Sequence, residues 1–266
     1  MKIDTLSTQL KGKSETIPIF KEALSEIKAD LARRFHDGED ANEMMSDHAS
    51  YIDEILRLAW HSFDWQENRS NWIQSRISLV AVGGYGRSEL HPHSDIDLLI
   101  LLKGNTYQKH SSNIQGFLTL LWDIGLEVAH SVRSQKECQR QASADVTIVT
   151  ALMEARTLCG DSDLFTKVSS LISPKKIWPF KKFYTAKSEE QLERHRKSEY
   201  TEYSLEPNVK TSPGALRDIQ TVMWVANRQF GKVDFDDLVR LKFLTVDEKN
   251  ILRAGERHLW KIRYGL

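Results

Sequence analysis

The stretch that decides the fold is VAVGGYGRSELHPHSDIDLLILL, from Val80 to Leu102. It places a glycine-rich turn and two spaced aspartates between two of the most apolar runs in the chain. Short β-branched and leucine-rich runs bounded by glycine, proline or serine are typical of buried strands. We therefore predict two buried strands joined by this loop.

The two aspartates, Asp95 and Asp97, are two positions apart. Because successive side chains of a strand leave opposite faces, both carboxylates are expected on one face. Such a pair repels and loses hydration unless a cation neutralises it, and hard oxygen ligands favour Mg²⁺. We predict that Asp95 and Asp97 hold magnesium at the exposed end of an interior strand.

The glycines of the turn suit an anion. Gly83 and Gly84 lack a Cβ, so backbone N–H groups there can approach an anion closely, and Arg87 adds a fixed positive charge. Taken alone, GGYG is more often an ordinary turn, and SDID is as consistent with solvated acids as with a metal site. Together, and each joined to a buried strand, they predict a polyphosphate held between N–H donors and a metal.

Composition excludes several classes of protein. The chain has 266 residues, and 37 Lys+Arg balance 37 Asp+Glu, so bulk charge attracts neither nucleic acid nor anionic membrane. Cys138 and Cys159 are far apart in the sequence, so we expect both to be packing residues. The N-terminal sequence has no apolar stretch typical of a signal peptide, so we expect a cytoplasmic protein. Leu98 to Leu102 is the longest purely aliphatic run, far below the roughly 20 residues of a membrane helix. We expect neither a nucleic-acid nor a membrane partner.

Periodicity predicts helices on both sides of the two strands. Helical spacing indicates segments around 20–35, 51–59 and 108–124, and Asp37-Gly38 is a plausible stop for the first. A third extended run, LEVAHSVRS, follows the third helix, and from Gln135 onward the pattern is mostly helical. A later helix is predicted to begin at Pro213 with Ser212 as its cap.

These elements predict the α+β class: a small mixed sheet with N-terminal helices and a C-terminal helical region. The expected domains are an N-terminal helical segment at 1–65, a catalytic domain at 66–160 and a helical region at 161–266.

The quoted stretch resembles a known motif. A strand, a Gly-Gly turn and an Asp-x-Asp strand are similar to the core of the DNA polymerase β-type nucleotidyltransferase superfamily, and GGYGRSELHPHSDIDLL resembles the bacterial PII uridylyltransferases. Three later blocks resemble that family in the same order: LWDIGLEVAHSVRS, DVTIVTALMEARTLCGD and LEPNVKTSPGALRDIQT. The resemblance covers about 79–229, and family members usually carry glycine where this chain has Ser88, Ala129 and Ala215.

The resemblance implies the polymerase β-type fold and a magnesium-dependent enzyme. Such an enzyme moves UMP from UTP to a tyrosine of the PII nitrogen-regulatory protein and releases pyrophosphate. The resemblance also implies that further residues contact the substrate, beside Gly83, Gly84 and Arg87: Ser94, Lys210, Arg217 and Asp218.

For two groups of residues, the sequence is consistent with more than one role. The third carboxylate of the superfamily has two candidates, Glu127 and Asp145, and either is equally consistent with a helix cap or a surface acid. Arg217 and Asp218 are as consistent with an ion pair that anchors their helix as with substrate recognition.

Other functions also stay open. One is a protein adenylyltransferase acting on glutamine synthetase, and another is a non-catalytic nucleotide-sensing module. Relatives continue into further domains, and RHLWKIRYGL at the C-terminus has a helical pattern with no stop beyond Gly265. We expect the chain to be the N-terminal part of a longer bifunctional enzyme, truncated within its C-terminal region.

Overall fold

A computed structural model describes residues 3–13, 15–65, 76–199 and 208–266. The chain divides into two compact units: Met1–Ala142 with Ile148–Leu171, and Ser143–Thr147 with Ile172–Leu266. The N-terminal helices therefore lie in the same unit as the sheet. The expected three-domain division stays a prediction.

Helices dominate the described ranges, and four strands lie among them. In chain order the elements are α1 (Ile3–Leu10), α2 (Ile17–His36), α3 (Ala41–His61), β1 (Ile77–Ala81), α4 (Gly83–Gly86), β2 (Ile96–Leu102), α5 (Tyr107–Asp123), β3 (Val128–Ser134), α6 (Gln135–Ala144), α7 (Val146–Met153), β4 (Arg156–Gly160), α8 (Ser162–Leu171), α9 (Phe180–Glu199), α10 (Leu216–Phe230), α11 (Phe235–Arg240) and α12 (Val246–Gly265).

The four strands form one mixed sheet in the order β3-β2-β1-β4. β1 pairs antiparallel with β2 and β4, whereas β2 and β3 run parallel. β1 is buried at every position and β2 at every position except Asp97, so these strands form the core of the first unit. The predicted α+β class with a small mixed sheet is confirmed.

The prediction that the chain is mostly helical from Gln135 onward is confirmed, but β4, which lies in this part of the chain, was not predicted. This five-residue edge strand is buried only at Leu158 and Cys159, and its register with β1 shifts between Leu79 and Val80. Such a short strand shows no alternation that would distinguish it from the end of the preceding helix.

Of two helix ends predicted from the sequence, the end of α2 is confirmed and the start of α10 is not. The predicted stop of α2 is confirmed, because Asp37 is its C-cap and Gly38 has a φ of 85°. The predicted start at Pro213 is wrong, since α10 begins at Leu216 and Ser212 Oγ accepts from the N–H of Asn208 instead of capping it. Gly214, with a φ of 78°, turns the backbone away from a helical path before α10.

The packing cysteines are buried and free. Burial raises the pKa of Cys138 to about 11 and that of Cys159 to about 12, which leaves both thiols protonated and unreactive at neutral pH. In the second unit, a separate core is built from α10 and α11, with Ile219, Ala226, Phe235 and Leu238 buried together. Across the described ranges, no helix is both long enough and apolar enough to cross a membrane.

Candidate active site

The two predicted metal-binding acids lie at the start of β2. Asp97 is its second residue and is half-buried, while Asp95 precedes the strand and is exposed. Ile96 between them is 4% exposed, so alternation directs both carboxylates away from the packed side. Ser94, one residue upstream, donates its N–H to the carbonyl of His91 at 3.1 Å.

The glycine turn, α4, lies directly against these acids. The N–H of Val82 donates to the carbonyl of Asp97 at 3.1 Å, which joins the start of the turn to the acidic strand. A Cβ on Gly83 would lie 3.2 Å from Asp97 Oδ2, and the φ of Gly83 is 59°, a left-handed value. Glycine is therefore required at 83 by both conformation and space. The first N–H groups of a helical turn have no intrahelical partner, so those of Gly83 and Gly84 make no hydrogen bond within α4.

A buried polar network anchors the same turn. Tyr85 donates its hydroxyl to Asp53 Oδ1 at 2.5 Å, and Arg156 donates to both oxygens of Asp53 at 2.5 and 2.8 Å. Burial, followed by the negative charge of Asp53, raises the pKa of Tyr85 well above its usual value, so the phenol stays a donor. Close packing continues at Gly86, where a Cβ would lie 2.6 Å from the carbonyl oxygen of Glu154. The network joins α3 and β4 to the turn that faces the acids.

Sequence reasoning missed Asp53, although a signal was present. Asp53 follows Ile52 and lies at helical spacing from Ala49 and Leu56, so it occupies the apolar face of α3. A charged residue on that face has to be paired when buried.

Arg87, predicted to hold phosphates, is engaged by carboxylates. Its guanidinium pairs with Glu89 at 2.7 Å and with Glu154 at 2.6 Å. Burial alone lowers the pKa of Arg87, but the two carboxylates outweigh it and the net shift is upward. In this structure Arg87 ties the end of the turn to α7 and its following loop, and phosphate contact by Arg87 stays a prediction.

Of the two candidates for the third carboxylate, Glu127 lies beside the acids. An open cleft of about 560 Å³ is lined by Asp95, Trp122, Glu127 and their neighbours on 125–129. Because Ile96 pairs with Val128, Glu127 takes the position beside Asp95 on the adjacent strand. Asp145 instead accepts from the N–H and the hydroxyl of Thr147, each at 2.7 Å, and so caps α7. In the parts of the chain that the structure describes, no three acid, histidine or cysteine side chains are grouped closely enough to enclose a metal.

The remaining predicted substrate residues belong to the second unit. Lys210 is exposed, and its N–H donates to Asn208 Oδ1 at 2.9 Å. The guanidinium of Arg217 lies 5.1 Å from the centre of the Trp224 ring, which the ammonium of Lys187 also approaches at 4.3 Å.

Asp218 joins α10 to α9. It accepts from Arg194 at 2.5 Å, from His195 at 3.0 Å and from the N–H of Gly214 at 2.8 Å. Burial alone raises its pKa, and these donors outweigh burial and hold the pKa below the usual value. The structure thus assigns Asp218 an anchoring role, but with partners on α9 in place of Arg217.

Comparisons with known proteins agree with this geometry. A family model described as "Nucleotidyltransferase domain" matches residues 65–158, and one described as "GlnD PII-uridylyltransferase" matches residues 182–266. Proteins of Azotobacter vinelandii and Pseudomonas aeruginosa, each named bifunctional uridylyltransferase/uridylyl-removing enzyme, are 48% identical to the chain over 258 residues.

Those alignments cover 97% of this chain but only 28% of each relative. The chain therefore spans less than a third of the length of the curated relatives it matches. Its middle part matches the model of a nucleotidyltransferase domain, and its last part matches the model of the GlnD PII-uridylyltransferase family.

Proposed function

We propose that the chain catalyses transfer of UMP from UTP to a tyrosine of the PII protein in the cytoplasm, with Mg²⁺ as cofactor and pyrophosphate as leaving group. The observation that carries this proposal is the approach of the Gly83 turn to Asp97, where a Cβ would lie 3.2 Å from the carboxylate. That approach supports a site in which backbone N–H groups would hold phosphate beside a carboxylate that would hold metal, within the residues that match a nucleotidyltransferase domain. The choice of uridylyl group and of PII is supported by the family description and by the names of the relatives.

The donor set fits a hard divalent cation. Asp95 and Asp97 would supply carboxylate oxygens at the start of β2, where Asp95 lines an open cleft. Mg²⁺ prefers oxygen ligands and keeps part of its water shell. When bound, Mg²⁺ would neutralise the triphosphate and the charge that develops during displacement at the α-phosphorus.

The chain's own residues would bind and orient the nucleotide, and one of them would accept a proton from the acceptor. The N–H groups of Gly83 and Gly84 would hold phosphate oxygens. Glu127 would accept the proton of the acceptor phenol, whose unperturbed pKa is about 10. Ser94 would contact the nucleotide. In the second unit, Asp218 would fix α10 and thereby the position of Arg217, and substrate contact by Lys210 and Arg217 stays a prediction.

Labelled transfer tests the proposal. The protein is incubated with Mg²⁺, purified PII and UTP labelled at the α-phosphorus, and label on PII is measured. Parallel reactions with ATP and with glutamine synthetase test the adenylyltransferase alternative. We expect label from UTP on PII alone, and transfer with ATP to glutamine synthetase would replace the proposal.

Variants of the acids test the site. Asp95→Asn and Asp97→Asn should abolish transfer without unfolding the protein. Removing one carboxylate reduces the electrostatic repulsion between the two acids in the metal-free protein. Asp163→Asn, which neutralises an exposed acid on α8, is the matched control and should keep full activity. Transfer near the control level in either site variant, with normal magnesium dependence, would refute the assignment.

A further inference from the structure

β3 is an edge strand whose outer side has no strand partner within the described ranges. The N–H of Ile96 donates to the carbonyl of Glu127 at 2.9 Å, and Ile96 pairs with Val128. In a parallel ladder this register directs the backbone groups of odd-numbered β3 residues toward β2. The N–H and C=O groups of Val128, His130 and Val132 therefore point away from the sheet. Such a row of backbone donors and acceptors is a template for another strand.

Two concave surfaces flank this edge. The first is the cleft of Asp95 and Glu127 at the beginning of β3. The second, of about 720 Å³, lies between α5 and β3, and its lining includes Tyr107, Trp122, His130 and Val132. Tyr107 and Trp122 are 48% and 52% exposed, which is high for aromatic side chains in a folded domain.

The two surfaces meet at Trp122, which lines both, and from there they extend to opposite faces of β3. Asp97 pairs with Ala129, so the acids share a face with Glu127 and Ala129, whereas His130 and Val132 line the aromatic cleft. Side chains of a strand added to this edge would alternate between those faces. Every second side chain of the added strand would face Asp95 and Glu127, and the side chains between them would contact Trp122 and Tyr107.

We propose that the protein acceptor docks by adding an extended segment to the outer edge of β3. The segment presents its tyrosine on the side of Asp95 and Glu127, and the residues next to the tyrosine pack against Trp122 and Tyr107. Backbone pairing supplies affinity, and the aromatic cleft supplies specificity. This inference rests on the proposed function, because it requires a polypeptide acceptor.

The position of the edge favours the acceptor over a second copy of the chain. The reaction must bring a phenol to the acids, and Glu127, which lines the same cleft as Asp95, immediately precedes β3. A second copy paired along the same edge would lie across the entrance of that cleft and exclude the acceptor.

Proline substitution at Val132 tests the pairing. Val132→Pro removes an N–H that points outward, and it does not break the hydrogen bonds between β3 and β2. Val132→Ala also shortens the side chain but keeps this N–H. We expect Val132→Pro to raise the KM for PII by about tenfold or more, the equivalent of one or two lost backbone hydrogen bonds, with the KM for UTP unchanged. Val132→Ala also loses most of the cleft-lining side chain, so its KM for PII is the reference against which the effect of proline is measured. Thermal unfolding and UTP binding of both variants verify the fold.

A peptide test does not depend on the variant's stability. Synthetic peptides spanning the acceptor tyrosine carry one N-methyl amide each, at successive positions, and are assayed with the wild-type protein. Because only alternate amides of an added strand face β3, transfer should fall at every second position.

The outcomes separate the two proposals. An inactive wild-type protein overturns the proposed function and this inference with it. An active wild-type protein with equal KM values for the proline and alanine variants, or without a two-residue period among the peptides, overturns docking alone. Loss of a dimer in sedimentation of Val132→Pro, with unchanged KM for PII, would show that copies of the chain pair at this edge and also overturns it.

Discussion

Replacing Gly83 by alanine should reduce catalysis far more than it reduces the stability of the fold. The φ of 59° places an L-residue in the left-handed region, which costs about 1–2 kcal/mol. The added Cβ would also lie 3.2 Å from Asp97 Oδ2, a contact tighter than normal packing, so the carboxylate must move by a few tenths of an ångström or more. Because catalytic groups tolerate little displacement, we expect kcat to fall by about 100-fold.

Gly104→Ala is the matched control for this prediction. Gly104 has a φ of 62°, and a Cβ there would meet nothing within 4 Å, so it carries the same backbone cost without any contact to the acids. Urea unfolding should show a similar loss of stability in both variants, and steady-state transfer from labelled UTP should be reduced only in Gly83→Ala. Equal kcat values in the two variants would refute the argument that Gly83 protects the geometry of Asp97.

Three further predictions concern stability. Ser88 has a φ of 64° where relatives usually carry glycine, so Ser88→Gly should raise the free energy of unfolding by about 0.5–1 kcal/mol, and an unchanged or lower value would contradict the strain argument. Burial lowers the pKa of His48, so the folded state binds protons less readily and stability should decrease as pH falls below the unfolded pKa of about 6.5. His48→Gln should flatten that dependence in urea titrations between pH 7.5 and 5.5, and an identical slope would exclude His48 as its source. Asp218→Asn removes the charge shared by Arg194 and His195 and should destabilise the second unit by about 1.5–3 kcal/mol in chemical denaturation, whereas no change would assign Asp218 to function alone.

The central strands were predictable because their signals are local. The apolar runs, the glycines and the spacing of Asp95 and Asp97 all lie within Val80 to Leu102, and the structure places the end of β1, α4 and β2 there. Strand alternation alone put Asp95 and Asp97 on one face of β2, and Ile96, which lies between them on the opposite face, is buried. The mixed sheet followed from the same stretch together with the extended run that became β3.

Long-range pairings were beyond reach of the sequence. Asp53 and Arg156 are 103 residues apart, and nothing local to either residue names the other as partner. The position of Glu127 beside Asp95 depends on the register of a parallel pair, which no hairpin turn fixes. Likewise, Arg194 belongs to a charged helix whose sequence pattern predicts a solvated face, yet it turns inward to Asp218 because the fold brings α10 against α9.

The buried carboxylate of Asp53 makes the N-terminal helices indispensable to any minimal catalytic fragment. A shortened chain beginning at residue 66 would retain the glycine turn and both acids, yet would leave the Tyr85 hydroxyl and the Arg156 guanidinium without the group that now satisfies them. A chain shortened at that position would therefore lose the contacts that hold the turn on the side away from the acids, so shortened versions of the chain should keep α3.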